Sequence, residues 1–194
     1  MEINAIEVNK MAYRERWMLL LPALLSCMLI GCGDEREANT TVQQDPDPEN
    51  SAKLIEPCDL ITQAQAGEIM GTEMKAGQYS ENKVVGQKLC LYEAADKNSF
   101  VFFQISLTQN GFIPPDIFVS GQNAKSIFSR IKESLPDREM INRTGDDAFI
   151  APPGIHILVG NYYMTIGAGN INQVGGKLKM AGEKAVANLE TALK

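Results

Sequence analysis

Apolar residues recur at helical spacing in three segments of this chain. The first segment follows Thr62-Gln63-Ala64-Gln65, which has the spacing of a helical capping box. Each segment ends at a residue that commonly terminates a helix or at the end of the chain. The first segment predicts a helix from Thr62 to Gly71 with Ala66, Ile69 and Met70 facing inward. The second predicts a helix from Asn123 or Ala124 to Pro136 with Ile127, Phe128, Ile131 and Leu135 facing inward. The third predicts a helix from about Val174 with Leu178, Ala181, Ala185, Leu189 and Leu193 on one stripe.

Apolar runs between these helices predict strands. Residues 89–94 and 99–108 flank a turn at Asp96-Lys97-Asn98, and residues 154–159 and 162–167 flank Gly160-Asn161, a favourable two-residue hairpin turn. Residues 148–150 form a shorter candidate strand. Residues 72–88 are polar and typical of a loop, with one short strand candidate at residues 83–85.

The order of these elements is helix, strands, helix, strands, helix. It predicts an α+β fold in which an antiparallel sheet carries helices packed on one face. The same order is compatible with two degenerate helix-plus-hairpin halves followed by a closing C-terminal helix.

The N-terminal segment has the pattern of an export signal. Arg14 and Arg16 precede an apolar run over residues 17–31, which is shorter than the about 20 residues that span a bilayer. The run ends in Leu29-Ile30-Gly31-Cys32, which resembles the lipobox of bacterial lipoproteins. The resemblance implies that residues 1–31 are a signal peptide and that Cys32 becomes the lipid-modified N-terminus.

Alternatives to this assignment remain open. The segment can be an uncleaved signal anchor, and Leu24-Leu25-Ser26-Cys27 also fits the short lipobox pattern. Cleavage before Cys32 is preferred because the charged tail starts only after it. Met11 is a second candidate for the true start. Gly33 stands where an Asp tends to retain Gram-negative lipoproteins in the inner membrane, so the sequence favours the outer membrane if there is one.

Charge is distributed unevenly over the 194 residues, whose net charge is −6. Residues 32–50 hold one basic and six acidic residues, whereas residues 51–194 hold 14 basic and 15 acidic residues. We therefore expect residues 32–53 to be a lipidated, disordered acidic tether and residues 54–194 to form a single α+β domain. The near-neutral domain lacks the basic footprint that nucleic-acid binding requires.

The predicted cleavage removes Cys27 and lipidates Cys32, which leaves two unmodified cysteines, Cys58 and Cys90. Cysteines in an oxidising compartment most simply pair, and a bridge here would join the region of the first helix to the first strand. A redox or metal pair is the alternative. It is disfavoured because the chain has no CxxC motif and only one His to complete a zinc site.

The motifs around these cysteines resemble those of a known family. They are Glu56-Pro57-Cys58-Asp59-Leu60-Ile61-Thr62, then Ala66 and Gly71, then Leu89-Cys90-Leu91-Tyr92, and later Gly145-Asp146-Asp147-Ala148-Phe149. Over residues 54–194 the chain is similar to a two-cysteine domain of unknown function that is widespread among actinobacterial cell-envelope lipoproteins. The resemblance implies secretion, lipid anchoring, a Cys58–Cys90 bridge and an α+β fold, and it brings no catalytic residues.

Few residues suggest chemistry. His156 lies in a predicted strand and lacks the GxSxG elbow that a serine hydrolase would place near it. Asp146-Asp147 could be an acid pair or a calcium corner, but a turn after Gly145 is the simpler interpretation. Gly167-Ala168-Gly169-Asn170 lacks the context of a phosphate loop and is read as a strand end.

One connection carries an unusual number of large apolar side chains. Phe112, Ile113, Ile117 and Phe118 lie in a loop over residues 110–122, and exposed apolar patches mark contact sites. The alternative is that they fold back onto the core. Tyr162-Tyr163 could stack a ligand or pack within a hairpin.

These features predict a lipid-anchored bacterial envelope protein that acts as a non-catalytic binding module. It would contact the membrane through its N-terminal acyl chains and bind an envelope protein or a small apolar ligand, without nucleic acid, cofactor or metal. Two rival hypotheses are an envelope hydrolase that uses Asp146 or Asp147 and a purely structural envelope component.

Overall fold

The computed structural model describes residues 53–169 and 171–194. Seven antiparallel strands form one sheet in the order β1-β2-β3-β7-β6-β5-β4. Two meanders, β1 to β3 and β4 to β7, therefore meet where β3 pairs with β7. The strands are β1 (Gln78–Asn82), β2 (Gln87–Glu93), β3 (Phe102–Gln109), β4 (Glu139–Ile141), β5 (Asp147–Ala151), β6 (Gly154–Val159) and β7 (Tyr162–Gly167).

Five helices accompany the sheet, and their ends show why they form. The second helix begins with a capping box between Thr62 and Gln65 and ends at Gly71, whose φ is 75°. The fourth begins with a second capping box, between Asn123 and Ser126. The helices are α1 (Pro57–Leu60), α2 (Gln63–Met70), α3 (Pro115–Val119), α4 (Ala124–Ser134) and α5 (Ile171–Ala192).

The α+β class and the antiparallel sheet agree with the prediction, and the arrangement of the helices is more elaborate than expected. Leu60, Ala66 and Leu178 place α1, α2 and α5 in a core with inward residues of β2, β3, β6 and β7. Helix α4 lies on the opposite face, where Phe128 packs with Phe149. The helices thus cover both faces rather than one. The two meanders also differ in strand number, so they are not matching helix-plus-hairpin halves.

Several local predictions need correction. Strand β1 lies in the segment that the sequence assigned to a loop. The sequence pattern did not indicate this strand because its five residues are all exposed and show no apolar alternation. Residues 83–85 form a 3-10 turn instead of a strand, and β4 and α3 were not predicted. Leu193 lies just beyond α5 and is 40% exposed, so it does not extend the buried stripe of that helix.

The middle of helix α5 packs against the sheet through small residues. Ala181 and Ala185 are fully buried, and a Cβ added to Gly182 would lie 2.8 Å from Cδ1 of Ile157. A side chain at residue 182 would therefore require the ends of the Ile155 and Ile157 side chains to move.

A disulfide joins α1 to β2. Cys58 and Cys90 are bonded, with their Cα atoms 5.4 Å apart. A Cβ added to Gly77, just before β1, would lie 2.7 Å and 2.8 Å from the two sulfur atoms. Glycine at this position therefore allows the chain entering β1 to pass directly over the bridge.

The first described residues are held at one end of the sheet. The side chain of Gln109 accepts a hydrogen bond from the Ile55 N–H at 2.7 Å and donates one to the Ile55 carbonyl at 2.8 Å. Tyr162, paired with Gln109 across β3 and β7, donates to the Lys53 carbonyl at 2.7 Å. We call this the entry end, and we call the opposite end, with the loop between β2 and β3, the far end.

The disulfide should contribute strongly to stability. In the Cys58→Ala/Cys90→Ala variant we expect the free energy of unfolding to fall by about 3–4 kcal/mol. Without the bridge, the two positions, which are 32 residues apart, are no longer held together in the unfolded chain, so its conformational entropy rises. Guanidinium unfolding measures this. Reducing the wild-type protein is the matched control and should produce a similar loss. A change below about 1 kcal/mol would show that the bridge is incidental to the fold.

Candidate functional site

The structure folds the apolar loop back onto the protein, which is the alternative that the sequence left open. Ile113 and Phe118 are buried, Ile117 is half-buried, and the Phe112 ring lies 5.1 Å from Nζ of Lys88. That lysine is itself held by Glu56, whose hydrogen bond is the main reason that the pKa of Lys88 is raised. These four apolar side chains therefore do not form a shared exposed contact surface.

Tyr162 and Tyr163 are buried on opposite faces of the sheet. Tyr162 belongs to the large core and holds the entry segment through its hydroxyl. Tyr163 belongs to the cluster beneath α4, where the Phe128 ring meets it edge-on at 5.5 Å. Both side chains have packing roles, and no open cleft presents the two together.

His156 is enclosed by aromatic rings beneath α4. Its ring is 3% exposed, stacks on Phe149 at 4.5 Å and lies with Nδ1 2.6 Å from the Tyr163 hydroxyl. Burial lowers the pKa of His156 below its ordinary value of 6.5, and the backbone carbonyls of Ala151 and Pro152 oppose this shift only partly. Burial also raises the pKa of Tyr163, so the phenol and the imidazole are both neutral at pH 7 and share one hydrogen bond.

The two aspartates of the rival hydrolase hypothesis have separate structural partners. Asp146 accepts a hydrogen bond from the Gly160 N–H at 2.7 Å, and Asp147 pairs with Lys132 of α4 at 2.5 Å. They therefore do not face one cleft as a catalytic pair. Strand β7 ends at Gly167, and Ala168 and Gly169 follow it. This agrees with the interpretation of the glycine-containing segment as a strand end.

The far end presents an aromatic side chain that the sequence did not single out. Phe100 is 98% exposed in the loop between β2 and β3. Beside it is a cleft of about 360 Å³ whose apolar lining includes Leu91, Val101 and Phe102. We call these four residues the far-end surface. The Lys75–Glu93 ion pair, 3.2 Å between charged atoms, lies at its edge.

The apolar run over residues 99–108 predicted a strand that included Phe100, so the sequence did not indicate that this residue is exposed. In the structure β3 starts only at Phe102, which leaves the preceding aromatic residue in the loop. The eight residues of β3 separate the far end from the entry end by about 26 Å at the usual rise per residue. A chain attached at Lys53 thus enters at the opposite end of the sheet from Phe100.

Cys32 and residues 33–52 of the proposed tether lie outside the described residues, whereas Lys53, also assigned to the tether, is held at the entry end by Tyr162. Within residues 53–169 and 171–194, none of the helices is both long and apolar enough to cross a membrane. Comparisons with protein-family models, with curated proteins and with solved structures find no match to this chain.

Burial of His156 should make stability depend on pH. The unfolded chain binds the proton more readily than the folded one, so this contribution is complete above pH 6.5 and falls as the pH drops towards the lowered folded pKa. Tyr163→Phe keeps the only His of the chain, whereas His156→Phe/Tyr163→Phe removes it and leaves no unpaired hydroxyl. Urea unfolding measured between pH 7.5 and 5.5 should show that the free energy of unfolding falls more steeply with decreasing pH in Tyr163→Phe than in the double variant. Equal slopes would mean that His156 titrates normally in the fold.

Proposed function

We propose that this protein is a lipid-anchored envelope protein whose domain is a non-catalytic module that binds a partner protein through the far-end surface. The carrying observation is the separation of two features: the chain enters at one end of the sheet, and Phe100 is exposed at the other. Such a layout suits a protein that is fastened at one side and makes contacts at the other.

Export and lipid attachment are supported by the sequence pattern that ends at Cys32. The Cys58–Cys90 bridge supports them further, because stable disulfides form mainly in oxidising compartments. Each buried acyl CH₂ contributes about 0.8 kcal/mol, so two or more chains give stable attachment. The periplasmic face of the outer membrane is the proposed location in a Gram-negative cell. Membership of the two-cysteine lipoprotein family is part of the same proposal, which the bridge supports.

A protein partner fits the far-end surface better than a small apolar ligand does. The Phe100 ring projects almost entirely into solvent, so it can insert into a pocket of another protein but cannot enclose a ligand. Aromatic residues are common energetic centres of protein interfaces. Mixed charges at the rim, Lys75, Glu93, Asp96 and Lys97, provide polar contacts around this centre.

The tether allows this contact at some distance from the bilayer. Residues 33–52 comprise 20 residues, which span up to about 70 Å when fully extended. Their acidic composition favours a solvated chain, and Pro46 and Pro48 add local stiffness. The module can therefore reach partners in the space beside the membrane while its entry end stays connected to the lipid.

The anchor is tested by a single substitution. Cys32→Ser should abolish palmitate labelling and release the protein from membranes, because no lipid-modified terminus can form. Cys27→Ser is the matched control and should remain labelled and membrane-bound. Wild-type protein that takes up no palmitate, or Cys32→Ser protein that stays fully membrane-bound, would refute lipidation at this cysteine.

The docking surface is tested by crosslinking in intact cells. A photoreactive residue in place of Phe100 should give one discrete protein adduct, whereas the same residue in place of Val119, which is 69% exposed near the entry end, should not. With the purified partner, Phe100→Ser should weaken binding about tenfold to hundredfold, the effect of losing one buried Phe side chain. Unchanged affinity would exclude Phe100 as the centre of the interface, and no adduct at all would favour a purely structural role.

A further inference from the structure

Four large apolar side chains are exposed at the entry end. Leu54 is 48% exposed, Val84 63%, Val119 69% and Leu193 40%. They belong to four different segments: the chain before α1, the turn between β1 and β2, helix α3, and the residues after α5. We call these four residues the entry-end patch. It lies at the opposite end of the sheet from the far-end surface.

Hydrogen bonds join these four segments in pairs. The Lys53 ammonium donates to the Ala192 carbonyl at 2.6 Å, so the chain that enters the domain contacts the end of α5. The Gln122 side chain donates to the Val84 carbonyl at 3.0 Å, so the turn between β1 and β2 is tied to the residues that follow α3. Val119 is the last residue of α3. Each hydrogen bond therefore brings together two of the segments that carry the entry-end patch.

Gln109, the last residue of β3, connects the two pairs. Its N–H donates to the Gly86 carbonyl at 2.9 Å, and its side-chain amide makes both of its hydrogen bonds to the backbone of Ile55. Gly86 ends the turn that carries Val84, and Ile55 follows Leu54 in the sequence. The four exposed apolar side chains are therefore grouped around one buried residue at the end of the sheet.

Exposed lysines flank three of these four apolar residues in the sequence. The three pairs are Lys53-Leu54, Lys83-Val84 and Leu193-Lys194. A lysine can lay its methylene groups along an apolar surface while its ammonium group stays in a polar one, and apolar side chains with neighbouring lysines are typical of surfaces that lie at the boundary between lipid headgroups and acyl chains. Exposed acidic residues at this end, Asp116 and Glu190, offset the lysine charges. The pattern therefore favours shallow insertion of apolar groups over a purely electrostatic attraction.

The tether indicates that a lipid bilayer is what this end of the domain meets. Between the proposed lipid anchor at Cys32 and Lys53 lie 20 residues, 33–52. A flexible chain of that length has a root-mean-square end-to-end distance of about 25 Å. The tether therefore holds the entry-end patch close to the headgroups at a high effective concentration, so even a weak affinity of the patch for lipid is sufficient for contact.

We propose that the entry-end patch docks on the bilayer to which the protein is anchored, with its apolar side chains at the acyl boundary and the flanking lysines at the lipid phosphates. The inference rests on the proposed lipid anchor and adds an orientation to it. A domain seated in this way directs its strands away from the bilayer. Phe100 is then presented up to about 26 Å farther out, the length of the eight residues of β3.

The test measures quenching of tryptophan fluorescence by brominated lipid. The only Trp of the chain, Trp17, is removed by the predicted cleavage, so an introduced Trp reports on its own surroundings. Lipidated protein from the full-length gene is reconstituted into vesicles of phosphatidylglycerol and phosphatidylcholine, with or without bromine on the acyl chains. Bromine should quench Val84→Trp and Val119→Trp by about twofold or more, because their rings would reach the acyl boundary. Asn98→Trp, an exposed position in the loop between β2 and β3, is the matched control and should not be quenched.

A second substitution assigns the contact to the entry-end patch. Val119→Glu should abolish most of the quenching of Val84→Trp, because a carboxylate is costly to place among acyl chains. Met180→Glu is the matched control, since Met180 is 59% exposed in the middle of α5, and it should leave the quenching of Val84→Trp unchanged. Circular dichroism checks that each variant is folded.

Two outcomes overturn the proposal: quenching of Val84→Trp or of Val119→Trp no greater than that of Asn98→Trp, and quenching that persists in full after Val119→Glu. Flotation of the vesicles on a density gradient separates these results from failure of the anchor. Protein that floats with the vesicles but is not quenched is anchored without docking, which leaves the proposed function standing. Protein that does not float lacks the anchor, which overturns the proposed function and this inference together.

Discussion

The pairing of β3 with β7 is the interaction on which the rest of this structure depends. It is the one junction between the β1–β3 meander and the β4–β7 meander in the described sheet. Its partners are far apart in the sequence, so forming it requires closure of a long loop, whose entropy cost must be offset by burial. Ile105 opposite Ile166 and Leu107 opposite Met164 provide that burial, since all four side chains are fully enclosed.

The register of this pairing also determines the two ends of the molecule. Because Gln109 lies opposite Tyr162, their side chains can hold the chain at Lys53 and Ile55 from neighbouring strands. A shift by one residue would turn the apolar side chains of β3 to the wrong face of the sheet. The same register therefore stabilises the core, fixes where the N-terminal segment enters and places Phe100 at the opposite end.

Local sequence patterns were sufficient to predict the elements that have their own end signals. The capping box at Thr62 and the Gly160-Asn161 turn gave the correct ends of α2 and of the β6–β7 hairpin. Strand β1 could not be recognised because it is exposed throughout and lies at the edge of the sheet, paired with β2. The apolar stripe of α4 showed which side of the helix is buried. The helical periodicity of α4 does not show which face of the sheet the helix packs against.

The candidate docking surface was harder to predict because it depends on contacts between distant segments. Phe100 belongs to an apolar run that is typical of a strand, and only the point at which β3 starts to pair leaves its ring exposed. Val101 likewise precedes β3, whereas Phe102 is its first residue. Whether an apolar residue at the end of such a run is covered or exposed therefore depends on where pairing with neighbouring strands begins, and tertiary contacts decide that point rather than local apolarity.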